Sequence, residues 1–541
     1  MFETGTVPSV LRIGSRKSDL AKFQSFEVAK AIRTQFPKVR IEFFFKESLG
    51  DKNLTDPLWK MPEKGVFTQD FVNDLLTEKI DLVVHSWKDL PTDPRPGLKI
   101  SGTLPRADQR DVLLFKNFEN SNRFEIFSSS PRREKNIAKL LKCFYPDRDF
   151  IFTPVRGNVL TRIQKLHSNQ KTWGLVVAKA ALDRMLQINE WVDDYSNLNS
   201  WSSHEVVLRT RETLVGLDWL VLPLFENPTA AAQGGLAIET RENDKAVNAI
   251  VSAVSDRHCF EEINLERAEF RKFGGGCHQK IGISYLRFSS RSSLLNVKGE
   301  TSDGQELNVF WVKSEGEDLF NSLKKKIPPL QRFISPKLKT VIATNLENEK
   351  KLSDLHFKFP RGILFCVSSQ RAWPLSWNTL LRKQDYFWCA GAATFQYIKE
   401  QTQRLPLGHS ESMGIDHPRF APPWSAIESE IDGVIYLTHD QASDFSPGVG
   451  FGSRPVETLG TYRLGTSLDL SEHQKAEISE KQMFFWTSFS AAKAFHQVMP
   501  QLFQGGYHFC GPGRTWASLK QQSWAPKSLQ VLHSKKGFLD E

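Results

Sequence analysis

Short apolar runs, each closing on a polar turn that opens a helical stretch, recur along this chain and restrict it to α/β architectures. Ile80-Asp81-Leu82-Val83-Val84 is the clearest of them. A run this short and this apolar suits a strand covered on both faces. It ends on His85-Ser86-Trp87-Lys88-Asp89-Leu90-Pro91. Polar residues just past a buried parallel strand stand where open α/β sheets bind ligands. Before it, the pattern predicts strands at Val10 to Ile13 and Ile41 to Phe45, and helices at about Ser18 to Phe36 and Phe71 to Lys79. The stretch from Lys46 to Gly65 has no clear period and carries Gly50, Pro57 and Pro62. A loop of that length in a compact domain is functional or disordered.

The same style continues from 116 to 215. Phe124 to Phe127 leads into Ser128-Ser129-Ser130-Pro131-Arg132-Arg133, and Ile137, Leu140, Leu141 and Phe144 follow at helical spacing. Serine caps and a first-turn proline are standard helix starts. Free backbone N–H groups beside two arginines form an anion site. Phe150 to Val155 is another strand. It runs into Arg156-Gly157-Asn158 and a helix with Arg162 on its first turns. A strand at Trp173 to Ala178 precedes a helix bearing Arg184. Residues 240–312 read as a smaller α+β unit, with a helix from Glu261 to Phe273 and a strand in which Ile281, Ile283 and Tyr285 alternate. The segment 313–339, with Lys324 to Lys326 and three prolines, reads as a short helix plus linker.

At 541 residues the chain has room for roughly three to four domains. Its six cysteines show no CxxC pair and no Cys/His ligand spacing, which argues against zinc and against a disulfide framework. No secretory signal is visible in Met1 to Val10, and no apolar run approaches membrane-spanning length. The expectation is a soluble cytoplasmic protein. The net charge of +9 is dispersed along the chain. Nucleic acid usually calls for a basic stripe. A small polyanion needs arginines at particular sites instead, and that reading is preferred.

Between the helix and strand of the small unit lies Lys272-Phe273-Gly274-Gly275-Gly276-Cys277-His278-Gln279. Free cysteine is usually a buried residue. Three glycines on one flank of this thiol allow a sharp bend or the close approach of another molecule. That makes Cys277 a candidate nucleophile or attachment point.

The ordered set of motifs over about 300 residues closely resembles porphobilinogen deaminase, also called hydroxymethylbilane synthase. The set comprises Arg12-Ile13-Gly14-Ser15-Arg16-Lys17-Ser18, Lys64-Gly65-Val66-Phe67, His85 to Pro91, Arg106-Ala107-Asp108-Gln109-Arg110-Asp111, Ser129-Ser130-Pro131-Arg132-Arg133, Arg156-Gly157-Asn158, Thr161-Arg162, Gln233-Gly234 and Gly275-Gly276-Cys277. The resemblance implies two lobes like those of periplasmic binding proteins, plus a third domain carrying the cysteine. It implies a transferase that joins four porphobilinogen units head to tail with release of ammonia. The implied cofactor is dipyrromethane, held covalently through Cys277. Asp89 matches the catalytic aspartate. Lys88, Ser129, Arg132, Arg133 and Arg156 fall on cofactor-binding positions, with Asp89 among them. Arg16, Ser18, Phe67, Arg162 and Arg184 fall on substrate-binding ones. Each pyrrole carries an acetate and a propionate, and guanidinium groups bind such carboxylates by charge-assisted pairs. His85 reads better as a hydrogen-bonded strand-end residue than as a base.

The last 200 residues contain a repeat. Phe365 to Ala372 matches Phe485 to Ala492, and Cys389 to Thr394 matches Cys510 to Thr515. Each copy reads as strand, polar turn, helix, strand, glycine turn, helix. The region is similar to uroporphyrinogen-III synthase, which implies two similar Rossmann-like lobes and a lyase that cyclises the linear tetrapyrrole. Tyr462 then aligns with a tyrosine assisting loss of the terminal hydroxyl, and Thr394, Thr487, Ser488 and Thr515 with carboxylate-binding positions. The stretch between Thr344 and Gly362 leaves little room for that family's opening helix and strands.

The expected layout is a first deaminase lobe at 1–115 and 216–238, a second at 116–215, a cofactor-anchoring α+β domain at 239–312, a linker at 313–339 and a synthase-like module at 340–541. It describes a bifunctional enzyme of porphyrin and heme biosynthesis that binds porphobilinogen and linear tetrapyrrole, with no metal, nucleic acid or membrane, and monomeric. The alternative is a deaminase whose C-terminal module is a non-catalytic interaction unit.

Overall fold

The computed structural model describes residues 8–47, 71–116, 123–188, 201–275, 279–288, 292–314, 317–318, 322–323, 326–327, 340–342, 346–415, 417, 419–440, 454–464, 468 and 470–532. Phe67, Cys277, His278 and most of the expected loop at 46–64 lie outside the described residues. Two compact units divide the chain: 1–285 with 296–309, and 286–295 with 310–541.

The first unit opens with β1 (Val10–Arg16), α1 (Asp19–Gln35), β2 (Arg40–Lys46), α2 (Val72–Leu76), β3 (Leu82–Ser86) and β4 (Leu98–Gly102). There follow β5 (Asp111–Phe115), β6 (Arg123–Phe127), α3 (Pro131–Phe144), β7 (Asp149–Thr153), α4 (Val159–Ser168), β8 (Thr172–Ala178), α5 (Lys179–Met185), α6 (Ser203–Leu214) and β9 (Asp218–Val221). The chain then forms β10 (Leu236–Arg241), α7 (Lys245–Val254), α8 (Arg257–Arg271) and β11 (Lys280–Arg287).

Two five-stranded sheets share one plan, in the orders β2-β1-β3-β10-β4 and β7-β6-β8-β5-β9. In each, the first three strands are parallel and the fourth runs antiparallel to both neighbours. That fourth strand is the one that crosses between lobes. The chain enters the second lobe on β5 and returns to the first on β10. This is the two-lobed α/β arrangement that the resemblance implies. The expected boundaries at 115/116 and 215/216 fall on the wrong side of these strands, because β5 and β9 pair with β8 and with each other. An apolar run does not announce its partner, so pairing alone decides which lobe owns it.

The core follows from strand alternation. Leu11, Ile13, Ile41, Phe43, Leu82 and Val84 pack with Phe26, Ala29 and Ile32 of α1 and with Ile250 and Val251 of α7. Burying each large apolar side chain contributes about 1.5–3 kcal/mol. The expected helix at Phe71 to Lys79 contracts to α2, since Glu78 turns to φ 59° and Ile80 is drawn into packing with Phe71 and Leu75.

The second unit contains β15 (Thr340–Ile342), α9 (Leu346–Lys358), β16 (Ile363–Val367), β17 (Tyr386–Cys389), α10 (Ala392–Thr402), β18 (Gly408–His409), β19 (Gly433–His439) and β20 (Val456–Leu464). Then come β21 (Met483–Trp486), α11 (Phe489–Val498), β22 (Tyr507–Cys510), α12 (Arg514–Lys520) and β23 (Gln530–Val531). The 13-residue α9 occupies the stretch expected to have little room for an opening helix. Strands β12 (Ser292–Glu300) and β13 (Glu306–Ser314), which lie largely in residues 296–309 of the first unit, and β14 (Glu317–Asp318) follow β11 in the sheet order β11-β12-β13-β14.

The repeat is visible in the pairings. Parallel β16-β17-β18 corresponds to parallel β21-β22-β23. Val367 pairs with Cys389 in one copy and Trp486 with Cys510 in the other. Where the second copy has the helix α11, the first has only 3-10 turns at Gln370–Ala372 and Leu375–Leu380. Pro374 explains the difference, because proline lacks an N–H and disfavours helical backbone at the residue before it.

Candidate active site

Between the two lobes of the first unit lies a cleft of about 140 Å³. Its walls include Arg16, Ser18, Gln24, His85, Ser86, Lys88, Asp89, Arg133 and Arg162. Most of them stand at or near the end of an element. Arg16 ends β1, and Ser18 precedes α1 with its hydroxyl free of a capping bond. Lys88 and Asp89 form a 3-10 turn directly after β3. Arg133 stands on the first turn of α3 and Arg162 on that of α4. Four of these side chains are cationic and one is a carboxylate. The cleft is therefore built for an anion.

Asp89 lines this cleft with no hydrogen-bond partner among the described residues, while Lys88 and Arg162 stand within electrostatic reach of it. Lys88 Nζ donates to Gln233 Oε1 at 3.2 Å. Loss of water around the Lys88 ammonium lowers its pKa to about 8, against the opposing pull of Asp89 and with the help of Arg133. Arg162 falls to about 10, through burial first and then Arg133 and Arg156, and it stays charged at neutral pH.

The sign of the Lys88 shift gives a direct expectation. The ammonium is charged below about 8 and neutral above it. Binding of a small dicarboxylate to the cleft, followed by calorimetry, should weaken as pH rises through about 8. In a Lys88→Arg background the affinity should hold to higher pH. An unchanged wild-type affinity across that range would remove Lys88 from carboxylate binding.

A buried hub stands behind the cleft. Asp111 accepts from Arg132 Nη2 at 2.9 Å, Arg133 Nη2 at 2.7 Å, Asn227 Nδ2 at 3.1 Å and Gln233 Nε2 at 2.8 Å. Burial pushes its carboxyl up, but Arg133 and Arg132 outweigh that and hold it far below the usual range. The expected binding arginines accordingly divide. Arg132 directs its donors to Asp111, Asn227 and the Pro228 carbonyl. Arg133 lines the cleft, and its buried Nε has no hydrogen-bond partner. Arg184 binds Glu27 of α1 and the Gly234 carbonyl, latching the lobes together outside the cleft walls. Ser129 exchanges hydrogen bonds with the backbone of Val155. Arg156 neighbours Arg162 electrostatically but is not among the cleft walls. His85 pairs with buried Glu239 at 3.0 Å, the strand-end role expected of it.

The glycine loop leaves α8 with Gly274 at φ 84° and Gly275 at φ 63°. A β-carbon on Gly275 would stand 2.9 Å from Thr92 Oγ1. Glycine is required there on both counts. Thr92 lies three positions after Asp89. Arg267 of α8 donates to the carbonyls of Trp87, Leu90 and Pro91, and Arg271 to that of Thr92. Sequence reasoning missed Arg267, Arg271, Asp111 and the role of Gln233. The last two sit inside quoted motifs, but nothing local marks what they touch.

In the second unit, strand order β15-β20-β19-β16-β17-β18 places the switch in strand order between β16 and β19. Ligands bind open α/β sheets at the carboxyl ends of such strands. Ser369 and Arg371 follow β16, and His439 ends β19. Tyr462 lies within β20, and its hydroxyl is 3.4 Å from Ser369 Oγ. Burial raises the Tyr462 pKa, opposed by Ser369 and Arg371. The His439 ring stands 6.0 Å from that of Tyr462, and the Arg514 guanidinium 5.1 Å from the Tyr436 ring. Ser488 caps α11 through Ala491 N, Thr394 is buried on α10, Thr487 is exposed, and Thr515 follows Arg514 at the start of α12.

Two lobes joined by a pair of crossing strands, with a cation-lined cleft between them and one open carboxylate, define a two-lobed α/β protein built for an anionic ligand. Comparison with known proteins makes the class specific. Residues 11–249 match the family model "Porphobilinogen deaminase, dipyromethane cofactor binding domain". The porphobilinogen deaminase of Syntrophomonas wolfei is 35% identical over 302 residues, covering 55% of this chain and 87% of that protein. Those of Syntrophus aciditrophicus and Eremothecium gossypii are 32% and 29% identical, over 53% and 57% of this chain and 84% and 90% of their own. This chain belongs to the porphobilinogen deaminase family, and dipyrromethane is the cofactor of its matched domain.

The described residues suit that group. Lys88 has donors to spare, Arg133 Nε is buried without a partner, and the glycine cradle rejects any side chain at Gly275.

Proposed function

We propose that the chain is a hydroxymethylbilane synthase that condenses four porphobilinogen units and releases ammonia at each addition, with its cofactor attached at Cys277. The observation that carries this reading is Asp89, an open carboxylate among four cleft cations. Bound dipyrromethane supplies the pyrrole end from which the product grows. Arg16, Lys88, Arg133 and Arg162 hold acetate and propionate groups. Ser18 offers its hydroxyl to the same groups. Asp89 gives a proton to the leaving amine and balances positive charge on the pyrrole nitrogen. Its carboxylate then takes the proton that leaves the ring carbon. Arg132 acts from behind the cleft through Asp111, and Arg184 by joining the lobes.

A second reading concerns residues 340–541. We infer a uroporphyrinogen-III synthase-like module, supported by the duplicated strand trios and by Tyr462 among Ser369, Arg371 and His439 at the switch in strand order. Hydroxymethylbilane closes on its own to the wrong isomer. Joining both activities in one chain raises the effective concentration of the second near the source of its substrate. The compartment fitting this chemistry is the cytoplasm.

One experiment tests both readings: porphobilinogen is fed to the purified full chain and the uroporphyrinogen isomer identified. Isomer III is the expected product. Isomer I alone would leave the deaminase and make the C-terminal module a non-catalytic unit. No tetrapyrrole at all would end the enzyme reading.

A further inference from the structure

We propose that Gln233 is a positioning residue, which fixes the Lys88 ammonium in the interlobe cleft from the place where the two crossovers between the lobes meet. The inference rests on reading that cleft as the deaminase site.

The geometry leaves the Gln233 amide one orientation. Both of its hydrogens are spent, on the Gln109 carbonyl at 2.7 Å and on Asp111 Oδ1 at 2.8 Å. Turned over, its oxygen would face two acceptors. Oε1 is thereby aimed at Lys88 Nζ, 3.2 Å away. The backbone is held as firmly. Arg106 Nε donates to the Gln233 carbonyl at 2.9 Å, and Ala107 N to the Gly234 carbonyl at 3.3 Å. Gly234 sits at φ 85°, where a β-carbon would lie 2.7 Å from the Ala107 oxygen.

Gln109 and Asp111 belong to the chain entering the second lobe, and Gln233 to the chain returning from it. Gln233 itself is 1% exposed and reaches no solvent. Lys88 is a long, flexible cation whose other charged neighbours are Asp89, Arg133, Asp111 and Arg132. Repulsion from the two arginines disperses such a group unless an acceptor holds it. Gln233 is its one hydrogen-bond partner among the described residues. With one N–H committed, two remain for the carboxylates of a ligand.

The test is a double-mutant cycle in the full chain with Gln233→Met, Lys88→Met and both together. Three quantities are read: kcat/KM with porphobilinogen, pyrrole adduct content by intact mass, and Tm. A residue acting only through Lys88 lowers kcat/KM by about tenfold or more alone. It adds less than about twofold in the Lys88→Met background. Multiplying effects, or a silent Gln233→Met, would overturn the proposal. A readout independent of turnover is the rate of Lys88 acetylation by acetic anhydride, mapped by peptide mass. It should rise several-fold in Gln233→Met, since losing the acceptor both frees the amine and favours its neutral form. An unchanged rate counts against the role even if the protein forms no tetrapyrrole. Should Gln233→Met fail to fold, Gln233→Asn serves the same cycle, because it is one methylene too short to reach Lys88 and Gln109 together.

Discussion

Asp89→Asn is expected to lower kcat by about 10²–10⁴-fold while leaving the Tm and the secondary structure unchanged. The side chain keeps its shape and loses its charge and its ability to exchange a proton. Asp89 has no hydrogen-bond partner among the described residues, so the substitution breaks no bond that stabilises the fold, and a stability change beyond about 0.5 kcal/mol is not expected. Its cleft neighbours Lys88, Arg133 and Arg162 are left unchanged, which predicts a KM within a few-fold of wild type. Steady-state kinetics separate the two constants. A kcat near wild type, or a loss confined to KM, would remove Asp89 from the proton-transfer role and make it part of the binding set.

Cys277→Ser is expected to abolish activity and to remove from the intact mass an adduct of about two pyrrole units, the size of the family's cofactor. The attacking species is a thiolate, and a free cysteine reaches it near pH 8.5. A serine hydroxyl offers no comparable anion at neutral pH. Gly274 and Gly275 adopt left-handed conformations that a side chain resists, and Gly275 rests on Thr92, three positions from Asp89. Gly275→Ala should slow acquisition of the same adduct, because its β-carbon collides with Thr92. A wild-type protein that turns over porphobilinogen without any such adduct would refute attachment at Cys277.

Much of the architecture was legible in the chain. The apolar run at Leu82 to Val84 is a strand, and the polar residues after β3 line the cleft where α/β sheets place their ligands. The paired serine and arginine motif opens a helix at Pro131 as read. What local pattern could not assign was ownership. Strand β5 looks like a strand of either lobe until its antiparallel register with β8 and β9 is known. Arginines show the same ambiguity. Arg132 and Arg133 are adjacent on one helix and share Asp111. Arg132 gives its other donors to the Asn227–Pro228 segment, while Arg133, which also donates to the Val176 carbonyl, lines the cleft and keeps only its Nε without a partner. Arg184 meets Glu27 across the lobes, at a separation of 157 positions that no periodicity encodes.

The sequence by itself determined the family, the alternation of strand and helix, the duplicated C-terminal strand pairs and the chemical inventory of cations around one carboxylate. These depend on composition and on spacing over a few residues, where side-chain direction follows the period of the element. Tertiary structure alone decided which of those groups are free to act. Lys88 and Gln233 stand 145 positions apart, and Asp111 gathers donors from three separate segments. The reason is physical: a buried polar group must find its partner wherever the fold brings one. A side chain already spent on such a partner is lost to the substrate, and only the folded chain shows which ones are spent.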